Sequence, residues 1–129
     1  MSFRNVSTLV MIERASGNVV WTLSSPPLAQ QHDPRPLPDG NSLIFDNGTH
    51  RRDHPATFSR VIEVEPRTGA IVWEHTDPSL FEFFSPCISG AQRLAAPGLR
   101  RDEPVPPNPM LEVATRGSYP LKTYPWTAG

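Results

Sequence analysis

Residues 30–47, QQHDPRPLPDGNSLIFDN, place His32 and Asp33 directly ahead of a proline-rich turn and a short apolar run. A neutral imidazole can act as a nucleophile or base at one nitrogen while a hydrogen bond holds the other. Asp33 has the right chemistry to orient it, but consecutive side chains on a strand point to opposite faces, so Asp33 is not expected to do so. Taken alone, a histidine in this position reads as a hydrogen-bonded strand residue. A second concentration of polar chemistry is His50-Arg51-Arg52-Asp53-His54, whose histidines and aspartate could catch a metal and whose arginines could attract an anion. A charged run between strands reads first as a solvated loop, and no metal is expected there. Asn5-Val6-Ser7 and Asn47-Gly48-Thr49 fit the glycosylation acceptor triplet, although Asn47-Gly48 is also a turn signal.

The elements that must position these residues are strands. Residues 9–23, LVMIERASGNVVWTL, align without gaps on residues 61–75, VIEVEPRTGAIVWEH, so that Trp21 and Trp73 are equivalent at a spacing of 52 residues. Each copy is an alternating strand, a turn closing on Gly17 or Gly69, and a second alternating strand, which is a β-hairpin signature. The period is close to the roughly 40–50 residues of a propeller blade. Val61, Glu63 and Glu65 against Ile62 and Val64 predict a half-buried strand. No segment carries a helical period.

In order, strands are expected at about 30–37, 42–46, 59–65 and 70–76, forming one complete four-stranded antiparallel blade. Those at about 7–13 and 18–23 belong to a preceding blade, and 86–94 begins a following one. The predicted fold class is therefore all-β: a partial β-propeller, one blade plus parts of two neighbours, over residues 1–94. Trp21, Trp73, Phe81, Phe83 and Phe84 are expected to pack between units, and Cys87 to be a small buried residue. Beyond Leu94 the register stops. The stretch AAPGLRRDEPVPPNP has six prolines or glycines in fifteen residues, which a paired central strand does not accept. Residues 95–129 are expected to be disordered or irregular, either as a natural extension or as a segment thrown out of register by a frameshift.

Composition narrows the partners. A formal net charge of −1 provides no basic field for nucleic acid. The lone Cys87 closes no internal disulfide. No stretch approaches the roughly 20 apolar residues of a membrane-spanning helix. The start, MSFRNVSTLVMIE, lacks the features of a secretory signal, so the compartment is not specified. Apolar residues are 37%, below the ~45–50% of an average globular chain, in keeping with a piece that needs neighbours to cover its faces.

The linked pieces SFRNVSTLVMIERASGNVVW, QQHDPRPLPDGNSLIFDNG, SRVIEVEPRTGAIVWEHTDP and FFSPCISGAQRL resemble the arylsulfotransferase-like β-propeller proteins of bacteria, over roughly residues 2–94. The resemblance implies a six-bladed propeller whose axial site moves a sulfuryl group from an aryl sulfate to a phenolic acceptor, without a nucleotide donor or other cofactor, through a sulfo-histidine. It makes His32 the counterpart of the sulfated histidine and Arg4 the counterpart of the arginine that holds the sulfuryl oxygens. The family's His-x-Asn motif and the threonine near its SPxxS stretch have no counterpart here. The axial site draws side chains from several blades, so this chain is expected to need the missing blades of a parent propeller and to be inactive alone. Relatives usually carry export signals. Two other readings of the same strands are a non-catalytic propeller that serves as a binding or scaffold module, and a quinone-dependent dehydrogenase-like propeller, for which the metal-ligand and quinone-stacking residues are not found.

Overall fold

The computed structural model describes residues 1–94, 110–114 and 122–125. The described residues are all-β, forming three antiparallel sheets, one helical turn and a short 3₁₀ turn at Arg4–Val6. The first sheet joins β1 (Ser2–Phe3), β2 (Thr8–Ile12) and β3 (Val19–Leu23) in that order. The central sheet is the meander β4 (His32–Pro36), β5 (Ser42–Asp46), β6 (Arg60–Glu65) and β7 (Ala70–His75). A single turn, α1 (Leu80–Phe83), leads to β8 (Gly90–Leu94), which pairs with β9 (Met110–Ala114) and through it with β10 (Lys122–Pro125). Among the described residues, no helix is long and apolar enough to cross a membrane.

The repeated hairpins form as the sequence predicts, and their turns are built alike. Gly17 N–H donates to Glu13 O at 2.9 Å and Gly69 N–H to Glu65 O at 2.8 Å, with both glycines at φ +73°. In each turn a hydroxyl, Ser16 or Thr68, donates to the carboxylate that opens it, Glu13 or Glu65. A positive φ at that position costs an ordinary residue about 1 kcal/mol or more, which is why glycine recurs there.

The two faces of the central sheet carry two separate cores. Ile44, Ile62 and Val64 join Leu9 and Leu28, with Trp21, Leu23 and Ile71 at the margin, so one face packs on the first sheet. Leu43, Phe45, Val61 and Trp73 join Phe83, Ala91 and Val113, so the other face packs on α1 and the third sheet. Trp21 and Trp73 thus do equivalent work one sheet apart. The half-buried character predicted for β6 is corrected: Arg60 to Val64 are all buried. The third sheet covers the face assigned to solvent, and Glu63 survives there because Arg93 pairs with it and Asn41 Nδ2 donates to it at 2.6 Å.

Further differences concern extents. Ser2–Phe3 pairs with β2, which the sequence pattern did not predict. The segment expected as a strand from 86 is extended only from Gly90, and Cys87 is half-exposed instead of buried. The irregularity expected over 95–129 does not hold for its two described segments, which are β9 and β10; the remainder lies outside the described residues. Val113 explains the pairing, since its side chain is buried against the core shared by β5, β6 and β8.

His75 makes the packing of α1 on the central sheet sensitive to acid. Its ring stacks on Trp73 at 6.2 Å and meets Phe83 edge-on at 5.7 Å. Burial disfavours the imidazolium and holds His75 below its ordinary value of 6.5, against the opposing pull of Asp77. A depressed histidine leaves the folded state binding fewer protons than the unfolded one, so stability falls as pH drops through the window just below 6.5. Thermal unfolding at about pH 7.5 and about pH 5.5 should show this loss, and His75→Gln should flatten the dependence. An unchanged pH slope in that variant would count against the assignment.

Candidate functional site

An antiparallel meander returns alternate connections to the same end. The segments 4–7, 24–31, 47–59 and 76–89 therefore gather at one end of the sheets, while the tight turns 13–18, 37–41 and 66–69 lie at the other. His32, Arg4 and the charged run 50–54 all belong to the first end.

His32 opens β4 opposite Phe45, which makes Asn47 its diagonal neighbour. The His32 Nδ1 lies 2.6 Å from Asn47 Oδ1. Asn47 Nδ2 donates to the Ser85 carbonyl at 2.7 Å, which only the amide nitrogen can do, so Oδ1 is the atom facing histidine and must accept. His32 Nδ1 therefore carries the proton, and in the neutral ring the lone pair sits on Nε2. Among the described residues nothing donates to Nε2. Asn47 is fully buried and cannot swing away: its carbonyl accepts the Ser59 hydroxyl at 2.8 Å, and Ser85 N–H donates back to that hydroxyl oxygen at 2.9 Å. This burial leaves Asn47 out of reach as a glycosylation acceptor, and Gly48, at φ +79°, fits the turn role of Asn47-Gly48. The next residue must be glycine, because a Cβ on Gly48 would lie 1.7 Å from the Phe58 carbonyl oxygen.

Arg4 follows β1 and reaches the same place from the first sheet. Its Nη2 donates to the Pro86 carbonyl at 2.9 Å and its Nη1 to Asn5 Oδ1 at 3.3 Å, while the buried Nε has no partner. Thr49 Oγ1 also donates to Pro86 O, at 3.2 Å. The Asn47 that holds His32 and the guanidinium of Arg4 are thus anchored on consecutive carbonyls, those of Ser85 and Pro86. Gln31, preceding His32, is fully buried: Nε2 donates to Ser2 Oγ and Thr8 O, both at 3.1 Å, and Oε1 has no partner. An unsatisfied buried acceptor costs about 1–3 kcal/mol, a burden that evolution keeps most often where a ligand or water supplies the donor.

Asp33 takes no part in holding the ring. Between His32 and Arg35 the strand bulges, with Asp33 left-handed at φ +47°, and its carboxylate accepts Arg35 Nε at 2.8 Å beside Gly90. The bulge, more than simple alternation, sets its direction.

No protein-family model matches the chain, and neither a curated protein nor a solved structure matches it. Its chemistry has to be read from the geometry.

The charged run 50–54 divides into buried and open parts. Arg51 Nη2 and Arg60 Nε each donate to Asp46 Oδ2 at 3.0 Å, and the Ala29 N–H donates to Oδ1 at 2.7 Å. Asp53 accepts from Arg51 and Arg60, and Glu74 from Arg60. Burial pushes the Asp46 carboxyl up, and Arg51, the Ala29 N–H and Arg60 pull against that rise. Burial lowers Arg60, but the facing carboxylates of Asp46, Glu74 and Asp53 outweigh it and hold the guanidinium above its usual value. Asp53 is likewise held below the usual carboxylate range: burial raises it, and Arg51 and Arg60 more than offset that. With Asp53 committed to two arginines, His50, Asp53 and His54 do not form a metal-binding group, and among the described residues no set of three such ligands occurs. Arg52 and His50 remain exposed.

His32 and Arg4 were named from the sequence, Arg4 through the resemblance alone, and the structure ties both to the 85–86 segment; Asn47, Ser59, Ser85 and Gln31 were not named as site residues. One usable signal was present: an asparagine just past the strand that pairs with a histidine lies within reach of its ring.

Proposed function

We propose that the chain is part of an arylsulfotransferase-like β-propeller that passes a sulfuryl group from an aryl sulfate to a phenolic acceptor, with His32 Nε2 carrying the group in transit. Three sheets stacked face to face, with a 52-residue repeat, support the propeller reading. The observation that carries the chemistry is the His32 Nδ1–H to Asn47 hydrogen bond, which leaves a directed lone pair on Nε2. In the first step Nε2 forms a bond to sulfur while the S–O bond to the aryl group breaks and a phenolate leaves. In the second, the acceptor oxygen attacks sulfur, the N–S bond breaks, the phenol proton passes to solvent and the neutral imidazole returns. In these loose transition states charge grows on the departing phenolate oxygen and is spread over the equatorial sulfuryl oxygens, to which the unpaired Nε–H of Arg4 would donate. Complete turnover belongs to a ring with further blades; sulfation of His32 uses groups present in this chain.

The rival, a non-catalytic binding module, is favoured by the two hydrogen bonds Arg4 already makes to the protein itself. Single-turnover chemistry separates them. Incubated with 4-nitrophenyl sulfate, the chain should release one equivalent of 4-nitrophenolate and gain a sulfuryl group on the peptide containing His32, and His32→Ala should abolish both. No adduct, or equal release from His32→Ala, leaves the binding reading.

A further inference from the structure

We infer that the cleft between segments 5–7, 24–25 and 50–52 is a binding site for the oxyanion headgroup of a small organic molecule. Its volume is about 480 Å³, and its walls include Asn5, Ser7, Ser24, Ser25, His50 and Arg52 but no acidic residue. A bare tetrahedral anion would leave most of that space empty, whereas ligand clefts of roughly 300–1,000 Å³ take organic molecules.

The lining is biased toward donors by bonds made elsewhere. Ser7 Oγ accepts the Gln30 N–H at 2.9 Å, so its own proton is free to donate. Asn5 Oδ1 is occupied by Arg4 Nη1, which leaves the Asn5 amide hydrogens for a ligand. Arg51 is drawn inward to Asp46 and Asp53, and this also removes the carboxylate nearest in sequence to Arg52. Arg52 has no acidic partner among the described residues, so a cation stands at the cleft with its charge uncompensated. A guanidinium, an amide N–H and a serine hydroxyl converging without a carboxylate select an acceptor-rich, negatively charged group. Val6 supplies an apolar wall for whatever carries it. The inference is independent of sulfuryl transfer at His32.

Titration of the ¹⁵N-labelled chain with benzoate, phenyl sulfate, inorganic sulfate and inorganic phosphate tests it. Benzoate carries no transferable group, so its binding is separable from any reaction at His32. The organic oxyanions should give saturable amide shifts confined to residues 5–7, 24–30 and 50–52, and should bind more tightly than the inorganic ions. Arg52→Gln should weaken them roughly tenfold, Ser25→Ala less, and Arg67→Gln, in a turn at the opposite end, not at all. Unchanged affinity in Arg52→Gln with an unchanged melting temperature, shifts clustered elsewhere, or a lack of saturation would overturn the assignment.

Discussion

Asp46→Ala should remove about 3–5 kcal/mol of stability, the effect expected when one member of a buried ion cluster is deleted and its partners stay behind. Asp46 is fully buried, and one of its oxygens accepts from both Arg51 and Arg60 while the other accepts the Ala29 N–H. Without it, two guanidinium groups that are 1% and 8% exposed keep the Phe58 and Pro27 carbonyls and, as anionic partners, only Asp53 and Glu74, both more open to water. The loss is large against the roughly 5–15 kcal/mol that keeps a domain folded. A urea titration should show the midpoint falling sharply. Adding Arg60→Met to Asp46→Ala should recover part of the loss, because the damage comes from a stranded buried cation more than from the missing carboxylate. If the single variant unfolds at the parent's midpoint, the cluster is not what pins the 47–59 connection to the central sheet.

The cluster also shows where sequence reading stops. The hairpins at 9–23 and 61–75 were legible because their glycines, turn hydroxyls and alternating residues are local signals, and both turns close with the same hydrogen bonds. His32 was legible as a chemistry-bearing type ahead of a strand, and Arg4 only through the family resemblance. Asn47 was not, since locally it offers a turn signal and a triplet common by chance, and only the His32–Phe45 register turns it into the group that fixes a tautomer. Glu63 was placed toward water by alternation, although a sheet contributed by residues far along the chain covers it. Arg51 and Arg52 are adjacent and identical in type, and which is buried depends on Asp46 and Phe58, with Arg51 lying 4.3 Å over the Phe58 ring. In each case the deciding partner is distant in sequence, so local periodicity carries no information about it.

Asn47→Leu should slow single-turnover sulfation of His32 about a hundredfold, or about 2.7 kcal/mol, while leaving donor affinity near that of the parent. Leucine keeps the volume but removes both polar ends of the bridge between His32 Nδ1 and the Ser85 carbonyl. The imidazole then loses the acceptor that keeps its proton on Nδ1, and the fraction of molecules with a lone pair at Nε2 and the ring correctly aimed falls. Some stability goes too, about 1–3 kcal/mol for the broken buried hydrogen bonds, but a purely structural role would not alter which nitrogen carries the proton. The ¹⁵N resonances of the His32 ring report that directly. They should show the Nδ1–H form in the parent and a shift toward Nε2–H in Asn47→Leu, with His50 and His54 unchanged. A parent ring already protonated on Nε2 would remove the nucleophile on which sulfuryl transfer depends, whatever the sheets around it form.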